Sequence, residues 1–299
     1  MTRTLLHRRT TGWRSGLLRG LAAAGLSLAA VCATGLSSAQ AEPPPGYELT
    51  FADEFDEWGV DFSNTWDTHW RKWQLRHMGG NNDRALKVAD WERLKGQKRV
   101  GDLLHEGGLK WESNYLHLVK GGHLRLRTWP VPDSVRDQLH GFPFVAGMIN
   151  GARAHNQTYG YWEARLNVGK VGSGHHFAFW LLPSNHTWPP EIDILEVNDD
   201  DGYLYHFSHQ NGYVPPITYY RPPGGLDRWI TVGFEWRPDA MIWTVDGREM
   251  RRERANIPAR PMYPLMTLEV GSYWPGWPDS KTEWPNEVLV DYIRIYEKG

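Results

Sequence analysis

Apolar and polar residues alternate along this chain in short runs, separated by Gly, Pro, Asn and Asp. A period of two marks strands with one buried and one outward face, and this spacing of turn signals suits an all-β sandwich. The pattern predicts strands over residues 48–52, 115–119, 123–128, 148–154, 160–168, 175–182, 191–197, 203–208, 229–236, 241–245, 263–270 and 288–297. Gly121-Gly122 and Asp246-Gly247 each predict a tight hairpin, the second of type I′. Helix is scarce; one short helix is expected within 82–95.

Alternation also assigns faces. Phe177, Phe179 and Leu181 read as core, which leaves His176, Ala178 and Trp180 on the opposite face. Trp162, Ala164, Leu166 and Val168 read as core, with Tyr161, Glu163, Arg165 and Asn167 outward towards that same surface. Leu268 and Val270 are core, so Glu269 joins the outward set.

The run Pro190-Glu191-Ile192-Asp193-Ile194-Leu195-Glu196-Val197 carries acids at i, i+2 and i+5 among β-forming apolar residues. In a regular strand Glu191 and Asp193 share a face and Glu196 points to the other. A carboxylate turned into a core is costly. One extra residue in a β-bulge near Ile194–Leu195 would return Glu196 to its partners, with Ile192, Val197 and one of the bulged pair in the core. With the bulge, Glu191 and Glu196 lie four strand positions apart, about 13 Å between Cα atoms. Side chains that lean together close most of that gap, and a carboxyl separation of about 5–5.5 Å suits a retaining glycosidase. The alternative is an acidic, solvated strand face.

The surrounding motifs resemble glycoside hydrolase family 16, the β-jelly-roll endo-glycanases. The resemblance runs from Phe51-Ala52-Asp53-Glu54-Phe55-Asp56 through Gly80-Asn81-Asn82-Asp83, Tyr159-Gly160-Tyr161-Trp162-Glu163-Ala164-Arg165 and Phe177-Ala178-Phe179-Trp180-Leu181-Leu182. It continues with Trp188-Pro189-Pro190, Trp236-Arg237-Pro238-Asp239, Val245-Asp246-Gly247, Trp274-Pro275-Gly276 and the closing Val290-Asp291-Tyr292-Ile293-Arg294-Ile295-Tyr296. The bulged spacing marks the branch with laminarinases, carrageenases and agarases. The resemblance implies Glu191 as nucleophile, Asp193 as its assisting neighbour and Glu196 as acid/base. It implies Trp180, Trp188 and Trp274 as stacking platforms, and Arg165 and Asn82 as sugar contacts. Arg165 equally suits a partner for a neighbouring acid. Asn81 is the other candidate for the aligned Asn, and Asp83 stands where the family carries Glu. His209 fits either a cleft residue or an exposed histidine. The family's structural calcium maps to Glu54, the Gly122 carbonyl and Asp291, with a surface salt bridge at Asp291 as the alternative. No cofactor is expected for catalysis.

Composition narrows the setting. Residues 1–41 combine five arginines, an apolar stretch and Ala39-Gln40-Ala41, the plan of a secretory signal peptide. Residues 42–46 form a Pro-rich linker, and 47–299 one catalytic sandwich domain. Removing the five arginines from the chain's 33 Lys and Arg leaves 28 against 35 Asp and Glu, a net charge of −7. That balance argues against nucleic-acid binding. The single cysteine, Cys32, falls in the leader, so a thiol nucleophile is excluded from the rest. No later apolar run is long enough to span a membrane. The 17 tryptophans suit a saccharide cleft as well as a core.

These readings converge on a jelly-roll β-sandwich of two antiparallel sheets with a concave cleft. The protein is expected to be a secreted or periplasmic bacterial endo-β-glycanase, monomeric, acting with retention on a β-1,3/1,4-linked glucan or a bacterial exopolysaccharide. The alternatives are a non-catalytic carbohydrate-binding sandwich and a transglycosylase of the same family.

Overall fold

The computed structural model describes residues 43–56, 65–68, 84–87, 93, 98–109, 116–169, 174–198, 218–271 and 275–299, together with the main chain of 204–209. The leader, Asn81, Asn82, Asp83 and Trp274 lie outside the described residues, as does the side chain of His209.

Among the described residues the chain forms two sheets. The larger contains β1 (Tyr47–Asp53), β2 (Ala85–Lys87), β3 (His117–Val119), β4 (Leu124–Pro130), β5 (Phe144–Ala146), β7 (Gly160–Asn167), β12 (Ile230–Trp236), β13 (Met241–Val245), β14 (Arg248–Glu253) and β16 (Asn286–Lys298). The smaller contains β6 (Met148–Asn150), β8 (His175–Pro183), β9 (Glu191–Asn198), β10 (Leu204–His209), β11 (Thr218–Tyr220) and β15 (Met262–Val270), in the order β11-β10-β9-β8-β15-β6. Every pairing is antiparallel except β2 with β5. The architecture is the expected all-β jelly-roll sandwich.

One core joins the sheets. Trp162, Ala164 and Leu166 of β7 and Phe234 and Trp236 of β12 meet Phe177, Phe179 and Leu181 of β8 and Met266, Leu268 and Val270 of β15. Burial at about 25 cal/mol per Å² of apolar surface makes this double layer the main source of stability. Both hairpins form as the glycines dictate. Gly121 and Gly122 take φ of 68° and 72° between β3 and β4. Asp246 and Gly247 take 50° and 74° between β13 and β14, the positive pair that a type I′ turn requires.

Local pattern departed from the structure in several places. Of the window 82–95 expected to hold a short helix, Ala85–Lys87 is strand β2, while 82–83, 88–92 and 94–95 lie outside the described residues; a helix that the pattern did not predict, α1, spans Val100–Glu106. α1 packs Val100, Leu103 and Leu104 with Val135 and Leu139 of a 3-10 helix, Asp133–Leu139. The run 148–154 is strand only to Asn150, and β5 precedes it.

Candidate active site

β9 carries the three acids, and the register shows how they come together. Glu196 lies opposite Ala178, and Asp193 lies opposite Trp180, yet only Phe179 separates the two partners on β8 while Ile194 and Leu195 separate the acids. The same mismatch recurs against β10, where Tyr205 faces Glu196 and Phe207 faces Asp193. This is the expected bulge. It places Glu196 on the face of Asp193 and Glu191. One detail differs: both bulged residues, Ile194 and Leu195, are buried in the core with Ile192 and Val197. A bulged pair with both side chains apolar turns both inward, so the acids are the residues left outside.

Cross-strand neighbours complete the face. Asn198, His176 and Glu269 form one row, Glu196, Ala178 and Thr267 the next, and Asp193, Trp180 and Leu265 the third. Trp180 donates its indole N–H to Thr267 Oγ1 at 3.2 Å and packs with Met148 and Tyr263. Ala178 is the small residue between the larger side chains, and across it His176 Nε2 reaches Glu196 Oε1 at 3.1 Å. His176 Nδ1 lies 3.4 Å from Glu269 Oε2. The other Glu196 oxygen, Oε2, is buried with no hydrogen-bond partner.

Glu191 opens the strand after Trp188-Pro189-Pro190, where the Trp188-Pro189 and Pro189-Pro190 bonds are both cis. Trp188 is 65% exposed and its side chain hydrogen-bonds Glu191. Beneath the site, Trp243 of β13 donates its indole N–H to the Asp193 carbonyl oxygen at 2.9 Å, so the opposite sheet holds the main chain at the bulge.

The electrostatics follow from burial. Asp193 is pushed well above the usual carboxylate range by burial first, then by the charges of Glu196 and Glu191. Glu191 is raised by burial and by Glu196, and the Trp188 hydrogen bond opposes this. Glu196 is raised by burial, against which His176 acts as donor and cation. Burial lowers the His176 value, but the hydrogen bond to Glu196, the ion pair with Glu269 and both their charges outweigh it, and the net value is raised to about 10. Four acidic groups around one imidazolium cannot all ionise cheaply. The cluster therefore retains protons at neutral pH beside ionised groups, which is the requirement of acid/base chemistry.

The other expected residues separate. Arg165 is not brought to the acids. It lies on β7 of the larger sheet, on the face turned away from the core; its Nη1 pairs with Asp291 Oδ2 at 2.5 Å and its guanidinium sits 4.6 Å from the Trp229 ring centre. This corrects the sequence reading: alternation identified Arg165 as outward, but outward on that strand is the far side of the sandwich. Asp291 also has His123 Nδ1 within 3.1 Å, and both Glu54 oxygens accept from Arg294 at 2.8 Å. As arranged, Glu54 and Asp291 fit ion pairs; a calcium ion would have to displace a guanidinium from each. Among the described residues, no group of three or more His, Cys, Asp or Glu side chains is placed to hold a metal ion. His209 is set opposite Glu191 in the β9–β10 ladder.

Sequence reasoning assigned His176 and Glu269 to the acidic face but gave neither a role. Their strands are adjacent in space and far apart in the chain, so spacing carries no sign of the contact. The legible signal was a charged residue breaking an otherwise apolar run, Met266-Thr267-Leu268-Glu269-Val270.

Comparison with known proteins now bears on this geometry. Residues 138–294 match the model of the family described as glycosyl hydrolases family 16. The chain is 29% identical over 184 residues to the endo-1,3-1,4-beta-glycanase ExsH of Rhizobium meliloti, covering 60% of this chain and 39% of that protein. It is 26% identical over 291 residues to a beta-glucanase of Rhodothermus marinus, covering 87% and 89%. Its fold superimposes on the catalytic domain of an endo-1,3-beta-glucanase (laminarinase) from Thermotoga petrophila with a TM-score of 0.66 at 23% identity, covering 84% of this chain and 98% of that one. The chain thus spans about two-fifths of the length of the Rhizobium relative.

Proposed function

The chain belongs to glycosyl hydrolases family 16, and on that footing we propose that it is a retaining endo-β-glycanase. The observation that carries this reading is the bulge at Ile194–Leu195, which gathers Glu191, Asp193 and Glu196 on one buried, polar face. Glu191 attacks the anomeric carbon; Glu196 presents a protonated carboxyl to the leaving glycosidic oxygen. A covalent glycosyl-enzyme forms, and Glu196, now ionised, takes a proton from the water that hydrolyses it. Asp193, which burial and its acidic neighbours push towards the protonated form, thereby has a proton to offer Glu191 and so to steady the ionised nucleophile. Trp188 and Trp180 flank the acids at the N-terminal end of β9 and offer rings on which sugar faces can stack. Trp274, Asn82 and His209 are proposed as further sugar contacts.

The substrate class is a β-1,3/1,4-linked glucan or bacterial exopolysaccharide. The likeness to proteins described as endo-1,3-1,4-beta-glycanase and beta-glucanase supports it. On the same proposal, the N-terminal leader exports the enzyme, which acts as a monomer on such polymers outside the cell or in the periplasm.

The test is to incubate residues 42–299 and a Glu191→Gln variant with soluble β-glucans, exopolysaccharides and galactans and to size the products. Internal cuts in one polymer class, absent from the variant, are expected, with the β-anomer appearing first by NMR. Binding without cleavage, equal in both proteins, would overturn the enzyme reading in favour of a carbohydrate-binding sandwich. Products longer than the starting chains would indicate transglycosylation.

A further inference from the structure

Besides the three acids of β9, the buried polar face holds a second pair of titratable groups that the mechanism above does not use. His176 projects from β8 between Glu196 of β9 and Glu269 of β15, its two ring nitrogens directed at different carboxylates. All three side chains are nearly sealed from solvent: relative exposures are 5% for His176, 4% for Glu196 and 8% for Glu269. A neutral imidazole has one N–H, so one of the two contacts would then set a lone pair against a carboxylate. Only the imidazolium turns a proton towards both carboxylates: Nε2 hydrogen-bonds Glu196, and Nδ1 ion-pairs with Glu269 at 3.4 Å, outside hydrogen-bond alignment.

Resting on the function proposed above, we propose that His176 and Glu269 are positioning residues for Glu196. Glu269 holds His176 as an imidazolium, and the imidazolium fixes the Glu196 carboxyl by one oxygen and sets its charge. Glu196 Oε1 is tied to His176, while Oε2 is buried and has no partner. Tying one oxygen fixes the rotation of the carboxyl group, and the free oxygen is the one left to face the glycosidic bond. The cation also opposes the upward push of burial on Glu196. Without it, Glu196 would keep its proton too firmly to act as a base in the second step.

From the described elements, the charged groups facing His176 are Glu196 on β9 and Glu269 on β15, with Asp193 and Glu191 further along β9. Asn198, its ladder partner, is uncharged. On its own strand His175 belongs to the other face, its Nε2 2.9 Å from Thr128 Oγ1. No other described cation competes for Glu196.

The experiment uses the mature protein with nitrogen-15-labelled histidine, the His176 signals being assigned by their loss in His176→Gln. In the wild type both ring nitrogens are expected to stay protonated from about pH 5 to 8, where a free imidazole titrates. In Glu269→Gln, which keeps the shape of the site, His176 is expected to titrate inside that window. On the polymer that the wild type cuts, His176→Gln is expected to lower kcat about ten- to a hundredfold, the loss of one charge-assisted hydrogen bond, with KM little changed. Its alkaline limb should move to higher pH, because Glu196 without the cation holds its proton longer. A wild-type His176 titrating near its ordinary value, or a His176→Gln enzyme with unchanged kcat and pH profile, would overturn the proposal. A wild type that cuts nothing overturns the function proposed above, while the imidazole titration still decides whether the clamp exists.

Discussion

Asp193 is buried with two acidic neighbours, and Glu191 shares the same crowding. Such residues serve chemistry at the expense of the fold. The sign can be worked out for Glu191. Its folded value is raised by burial first and by Glu196 second, so the native state holds its proton more tightly than the unfolded chain does. Stability from this group is full below about pH 4 and is lost as pH climbs from there towards the raised value. Glu191→Gln removes the ionisation. The variant is expected to melt higher than the wild type at pH 7, by about 1–2 kcal/mol or about 2–8 °C. The gap should close near pH 4. Calorimetry at both pH values checks this; equal melting at pH 7 would show that the carboxyl is not under that strain. The acids themselves were legible in the sequence because charges interrupt a run of Ile, Leu and Val. Their partners were not, since His176 and Glu269 meet only through strand pairing. Arg165 shows the limit from the other side: alternation said it was outward, and only the three-dimensional layering says outward from which sheet.

Among elements, β9 works through its irregularity. Deleting Ile194 alone would remove the bulge and set the acids at i, i+2 and i+4, still on one face; deleting Ile194 and Leu195 together would turn Glu196 into the cluster that now holds Ile192 and Val197. We expect the double-deletion variant to lose at least a hundredfold in kcat, the low end of what a general acid/base supplies. We also expect several kcal/mol of destabilisation from a buried, unpaired carboxylate. Urea unfolding and initial rates measure the two losses; a folded, active double-deletion variant would show that this spacing does not set the face of Glu196. The bulge was legible because only one insertion reconciles three acids with one strand. β2 was not: three residues, paired in parallel with β5 and holding a fully buried Lys87, owe their conformation to a distant partner. β14 reads Arg-Glu-Met-Arg-Arg-Glu, without apolar alternation, because it is an edge strand whose charges discourage further pairing. α1 is a single seven-residue helix, too short for a clear 3.6-residue period.

Across the whole molecule the two outer faces are chemically distinct. The smaller sheet concentrates acids around one histidine. The larger one neutralises its carboxylates with arginine, as in Arg165–Asp291, Arg294–Glu54 and the pairing of Arg125 and Arg127 with Glu287. With guanidinium groups already on Glu54 and Asp291, we expect the same melting temperature in excess calcium and in EDTA. A rise of several degrees with calcium would mean that the ion displaces the arginines. Among the polar contacts between the sheets is Trp243 Nε1 to the Asp193 carbonyl. Trp243→Phe keeps an aromatic side chain but removes the indole N–H and part of the buried ring, for an expected loss of at least about 1–3 kcal/mol in denaturant unfolding. A loss of kcat larger than the stability change predicts should accompany it, since the acid-bearing strand loses its anchor.

That same indole offers a clock. Its proton is shielded by both layers of the sandwich, so it can exchange with deuterium only when the layers part. If they part only on global unfolding, its exchange is as slow as that of the most protected amides. If the layer carrying the acids lifts on its own, to admit or release a polymer, the indole exchanges faster than they do, and saturating oligosaccharide slows it selectively. One resonance thereby times the opening of the interior without a label attached.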